Sequence, residues 1–207
     1  MIGWILAGVA ALLIAGWFFF RRGASDFRSL IVLLKEPRLV TPEHVKIAAE
    51  KAGLQFSSIE GEHPIQIKHL KVDFYLGSHP TSYGNGKYAK ERLAESIRDL
   101  RMREAYLEHN AWFSTAVEKI PEGSMPEEAY GVMGKLIAEL LDETCLIVWS
   151  AEDNRINLIT PELIDSFREG KPLEALMEVR GDEISNVDSE DSRMKAAIGC
   201  HALACAS

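Results

Sequence analysis

The chain has 207 residues, of which 47% are hydrophobic and 26% charged, with a formal net charge of −8. That balance excludes wholesale disorder and a protein that crosses the membrane many times, and leaves room for one domain of ordinary size. An acidic chain is poorly suited to neutralising phosphates, so no nucleic-acid partner is expected. Three cysteines, Cys145, Cys200 and Cys205, form no CxxC pair and read as reduced thiols, not as a disulfide framework or a zinc ribbon.

Residues 1–20 (MIGWILAGVAALLIAGWFFF) contain no ionisable side chain. As a helix they would run about 30 Å, the thickness of bilayer hydrocarbon. Trp4 and Trp17 stand near the two ends, and no basic stretch precedes the run as it would in a cleaved signal peptide. The expectation is a single-pass transmembrane anchor whose partner is the lipid bilayer. Arg21, Arg22, Arg28, Lys35 and Arg38 all follow it, which by the positive-inside rule turns the remaining chain toward the cytoplasm. Residues 21–29 form the basic juxtamembrane segment. Ala7, Ala11 and Ala15 recur every four residues, a spacing that permits close helix approach but equally suits a lipid-facing helix.

Beyond the anchor, Leu30 to Leu34 is an aliphatic run stopped by Pro37, as in a buried strand. Thr41-Pro42 is an N-cap and first-turn pair for a helix that Gly53 closes. Extended structure is expected over Ile65 to Leu76, followed by a loop containing Gly77, Pro80, Gly84, Asn85 and Gly86. From Tyr88 to Arg103, Ala89, Leu93, Ile97 and Leu100 repeat at helical spacing and predict one amphipathic helix. Ala105 to Val117 lacks that period and is read as a strand. A helix is expected over Ser124 to Asp142 and a buried strand over Thr144 to Ser150. A turn at Glu152-Asp153-Asn154 then leads to a hairpin partner at Ile156 to Ile159. Short helices at Pro161 to Arg168 and Pro172 to Met177 complete the pattern.

The predicted fold class is α+β: an N-terminal transmembrane helix, then one mixed sheet with helices packed on one face, arranged as a split βαβ. The α+β domain spans residues 30–180. Residues 181–207 form an acidic linker, with five acids and no base between Gly181 and Asp191, and an atypical tail.

Three stretches, Leu33 to Arg38, His109 to Ser114 and Ala138 to Leu146, resemble the region preceding the conserved domain in bacterial proteins related to the uncharacterised YegJ-like family. The likeness covers roughly residues 30 to 180 and is structural in type. It implies no activity and no catalytic residues. Val187 to Ile198 resembles the opening of that conserved domain, after which the chain runs into Gly-Cys-His-Ala-Leu-Ala-Cys-Ala-Ser; this implies a frameshifted or truncated member of the family, with a naturally short homologue as the alternative.

Few residues suggest chemistry. His63, His69 and His79 are spaced too widely for a local metal site, and neither a metal nor a cofactor is expected. His109, beside Glu108 and near Trp112, is the one candidate catalytic residue. On a strand, however, Glu108 would point to the opposite face, which favours a structural histidine. Cys145 lies in a buried run and reads as a core thiol. Ser82 to Lys87 precedes a helix but lacks the phosphate-loop spacing. The functional expectation is a membrane-anchored cytoplasmic module that binds a protein partner or serves as an accessory domain. The alternatives are a ligand-binding or hydrolase-like enzyme using His109, and a fragment of a longer YegJ-like protein.

Overall fold

A computed structural model describes residues 27–178, apart from 71, 84–85, 118–119 and 121–124. Among the described residues, eight strands form a single sheet: β1 (Arg28–Leu34), β2 (Ser58–Glu60), β3 (Ile65–His69), β4 (Val72–His79), β5 (Ala111–Val117), β6 (Cys145–Ser150), β7 (Arg155–Leu158) and β8 (Met177–Glu178). Their spatial order is β2-β3-β4-β5-β1-β6-β7-β8. Helices are α1 (Pro42–Lys51), α2 (Gly86–Ser96), α3 (Leu100–Glu108), α4 (Pro126–Ala138), α5 (Pro161–Arg168) and α6 (Pro172–Ala175).

Three parts of the predicted fold class need correction. The sheet is not mixed, because all seven ladders between neighbouring strands are antiparallel. Nor are the helices confined to one face. One core layer joins Leu30, Val32 and Leu34 of β1 to Val45 of α1, Met133 and Ile137 of α4, and Leu163 and Phe167 of α5. A second joins Ile31 and Leu33 of β1 to Ala94 of α2, and to Met102 and Tyr106 of α3. Finally, among the described residues no helix is long and apolar enough to cross a membrane, so the single-pass membrane assignment has no support in the structure. The run at residues 1–20 on which it was built lies outside the described residues, as do Arg21, Arg22 and everything after Glu178, including the acidic linker and the tail.

The remaining basic residues of the expected juxtamembrane cluster are committed to the fold. Lys35 Nζ lies 2.6 Å from Glu108, Arg38 pairs with Asp142, and an Arg28 guanidinium N–H donates to the Phe27 carbonyl at 2.8 Å.

β1 is central and buried on both faces, which is why Leu30 to Leu34 shows no alternation: side chains pointing either way meet a helix layer. It pairs with β5 from Arg28↔Val117 to Leu34↔Ala111, and with β6 from Ile31↔Trp149 to Leu33↔Ile147, before the register shifts at Leu34↔Cys145. Because β5 and β6 both oppose β1, they run the same way as one another on either side of it, and α4 connects them. β5 alternates strictly between buried and half-buried positions.

Two predicted boundaries move for local reasons. The helix expected over Tyr88 to Arg103 is broken after Ser96. Asp99 caps a new helix by accepting from the Met102 N–H at 2.8 Å, and the Arg103 guanidinium donates to the Ile97 carbonyl at 2.6 and 2.9 Å. The break rotates Leu100 away from the core, leaving it 67% exposed. The strand expected from Ala105 begins only at Ala111, since residues 105–108 belong to α3. At the start of α1 the expected cap is present: Thr41 Oγ1 accepts from the His44 N–H at 3.3 Å and His44 Nδ1 accepts from the Thr41 N–H at 3.2 Å.

Candidate functional site

His109 is the C-cap of α3, where the backbone turns to extended values before β5, and its side chain is fully buried. Its ring is held at both nitrogens. Nε2 accepts from the Tyr83 backbone N–H at 2.9 Å, while Nδ1 faces the Tyr106 carbonyl. A carbonyl only accepts and an amide N–H only donates, so the imidazole is neutral with its proton on Nδ1. The His109 carbonyl in turn accepts from Ser82 Oγ at 3.3 Å and from the Lys90 ammonium. Burial lowers the ring's pKa, opposed by the Tyr106 carbonyl facing Nδ1, and the charge of Lys90 adds to the lowering. Lys90 is also lowered, by burial.

An aromatic cluster surrounds this residue. His79 stacks on Trp112 with ring centroids 3.8 Å apart, and Tyr83 stands edge-on to both Trp112 and Trp149 at 5.2 Å. Tyr106 contacts His109 at 4.9 Å and Trp149 at 6.2 Å. Beside it, Leu93, Ser96, Ile97, Tyr106, Trp149, Asn154 and Ile156 line a cavity of about 10 Å³, space for one water. Among the described residues, the buried Trp149 Nε1–H has no hydrogen-bond partner.

The other residues singled out from the sequence are dispersed. The β3–β4 register, running from Ile65↔Leu76 to His69↔Val72, puts His69 at the turn and His63 near His79 at the opposite end. His79 is shifted downward by burial and then by the proximity of His63, whereas His69 Nδ1 lies 2.9 Å from the Gln55 carbonyl. Among the described residues no three histidines, cysteines or acids gather as metal ligands. Cys145 is buried beside Asp142, with Sγ 3.4 Å from a carboxylate oxygen, and burial pushes its thiol up to about 12. Its nucleophilic form is scarce at neutral pH. Of the Ser82 to Lys87 loop, residues 84 and 85 lie outside the described residues.

Two polar groupings were not anticipated. Tyr130 of α4 reaches Ser150 at the end of β6, with the hydroxyls 3.1 Å apart; both contact Asp153 in the following turn, Ser150 donating at 2.8 Å. Burial, then the Asp153 hydrogen bond, raises the Tyr130 phenol well above its ordinary value. In the second grouping, Arg38 pairs with Asp142, donates to the Leu140 carbonyl at 2.6 Å and lies over the Phe113 ring at 5.3 Å. The i, i+3 spacing of Ser150 and Asp153 across a turn is a local signal; nothing local pointed to Tyr130, 20 residues earlier. Compared with protein-family models, with curated proteins and with solved structures, the chain matches none of them.

Proposed function

We infer that residues 27–178 act as a protein-binding or accessory module. The observation that carries this reading is the state of His109: the catalytic candidate read from the sequence is buried, neutral and bonded at both ring nitrogens to backbone groups, so it serves as a fold clamp. Cys145 is a core thiol, and the hydroxyls of Tyr130 and Ser150 are engaged with each other and with Asp153. For the partner contact, α3 offers Leu100 and Leu107, 67% and 43% exposed. They stand two helical turns apart on one stripe, with Arg101, Glu104 and Glu108 alongside. The favoured partner is a protein surface that presents an apolar strip bordered by both signs of charge.

A photo-cross-linker placed at 107 and, as a control, at Glu50 on α1 tests this in cells. A discrete adduct from 107, absent from 50 and abolished by Leu100→Glu in a chain that still folds, supports the reading. Equal labelling at both positions, or an adduct indifferent to Leu100→Glu, removes it. The competing enzyme reading requires His109 to surrender one of its two hydrogen bonds. It would be restored by a hydrolytic activity that His109→Gln abolishes.

A further inference from the structure

The neutral imidazole of His109 joins two pieces of chain that are otherwise tied at this point through the His109 carbonyl, which accepts from Ser82 Oγ at 3.3 Å and from Lys90. On one side is the C-terminal end of α3, through the Tyr106 carbonyl; on the other is the segment entering α2, through the Tyr83 N–H at 2.9 Å. Tyr83 in turn puts its ring edge-on against Trp112 and Trp149, which cover the sheet on the α2–α3 side. A second proton on the ring must go to Nε2, the atom that accepts from Tyr83. The resulting imidazolium has no lone pair to offer, so two N–H groups then face one another.

We propose that His109 is a protonation-controlled latch: a second proton on its ring releases the Tyr83 N–H and loosens the segment entering α2 from the aromatic face of the sheet, while the strands stay paired. The surroundings favour release over accommodation. Lys90 of α2 donates to the His109 carbonyl, so the new positive charge arises beside an ammonium. Among the described residues, the other titratable or charged groups about the ring offer no compensating anion. Tyr83 and Tyr106 contribute backbone groups to it, Glu108 is held by Lys35 at 2.6 Å, and His79 of β4 lies against Trp112. The element being released rests on the smaller of the two core layers, next to the Trp149 cavity, whereas β1 is buried on both faces. Loosening there should be local. Because the ring resists protonation, the latch stays closed near neutrality and opens on acidification below the ordinary histidine range of about 6.5.

Amide hydrogen exchange of the full-length chain, corrected for intrinsic rates and compared at about pH 7 and about pH 5, tests the latch, with the His109 ring followed by NMR. The expected result is a loss of protection of roughly tenfold or more at Tyr83 and in α2 as the ring titrates, with β1, β5 and β6 unchanged. His109→Gln, which offers an uncharged acceptor, should keep its protection over the same range; loss there at low pH overturns the proposal. It is equally overturned if the ring takes its proton and Tyr83 stays protected, if Tyr83 exchanges only together with the central strands, or if the ring takes no proton before the sheet unfolds. Should His109→Gln fail to fold, the contrast between Tyr83 and the central strands in the unaltered chain decides alone.

Discussion

Ser29 and Glu152, 123 residues apart, are joined by a three-point contact: the Ser29 N–H donates to the Glu152 carboxylate at 3.1 Å and its hydroxyl lies 2.8 and 2.9 Å from the two carboxylate oxygens. Ser29 is 3% exposed, so the first turns of the central strand depend on a carboxylate in the β6–β7 turn. Glu152→Ala strands a buried N–H and hydroxyl and should destabilise the domain by about 1–3 kcal/mol. A shift of the urea midpoint with unchanged m-value is the expected signature, and no shift would show that water replaces the carboxylate.

A helix layer on each face makes neighbouring residues of β1 equally critical. Leu33 and Leu34 point to opposite sides and both are fully buried. Each replaced by Ala should cost about 2–5 kcal/mol. Equilibrium unfolding of the two variants checks this; if one were near-neutral, its face would be open to solvent and the two-layer arrangement wrong.

At the β3–β4 turn, Leu70 adopts φ 56° and is 87% exposed, so it is both strained and unburied. A β-branched or γ-branched side chain gains nothing there, whereas asparagine tolerates the left-handed region. Leu70→Asn should therefore stabilise the domain, by roughly 0.5–1 kcal/mol, read as a raised thermal midpoint. A lowered midpoint would mean that Leu70 makes contacts the turn geometry does not reveal.

The Asp142 carboxyl is subject to opposing effects. Burial would raise it, but hydrogen bonds from Thr144 and Cys145 and the Arg38 guanidinium hold it below its ordinary value of 3.8. A carboxyl depressed on folding adds stability that is fully present above that ordinary value and is lost as pH falls through it toward the lower folded value. Asp142→Asn should thus be less stable than the unaltered chain at neutral pH, and the difference should shrink in the acid limb below about pH 4, measured by urea unfolding at a series of pH values. A gap that stays constant with pH would assign the effect to packing alone.

Much of the local structure was legible because the responsible chemistry is local. Thr41-Pro42 and Thr160-Pro161 announce helix starts: the hydroxyl caps the first turn and proline needs no N–H there. The turn between Ser150 and Arg155 separates two strands by a few polar residues, and they do pair. The break at Arg98-Asp99 was missed because periodicity continues across it in sequence. The Asp99 cap, the Arg103 bond to the Ile97 carbonyl and the Ser96 hydroxyl on the Leu93 carbonyl satisfy the backbone where the helix stops. His109 reads as a strand residue for the opposite reason, since Ala105 to Val117 lacks a helical period, and this conceals that His109 ends a helix and bonds backwards to Tyr106.

The sequence by itself determined the α+β content and most of its pieces: a buried aliphatic first strand, and caps and turns set by residues within four positions of one another. Leu30 to Leu34, unbroken by any polar residue, marks a buried strand; that it is covered on both sides of the sheet, not on one as expected, is a finding of the structure. Only the tertiary structure decided the antiparallel order, the partners of β1, and the contacts Ser29–Glu152, Arg38–Asp142, Tyr130–Ser150 and Tyr83–His109. Those pairings span from 20 to 123 residues. Propensity and periodicity act over one or two turns, while the choice among distant partners is made by the burial of whole faces and the need to satisfy each polar group enclosed with them.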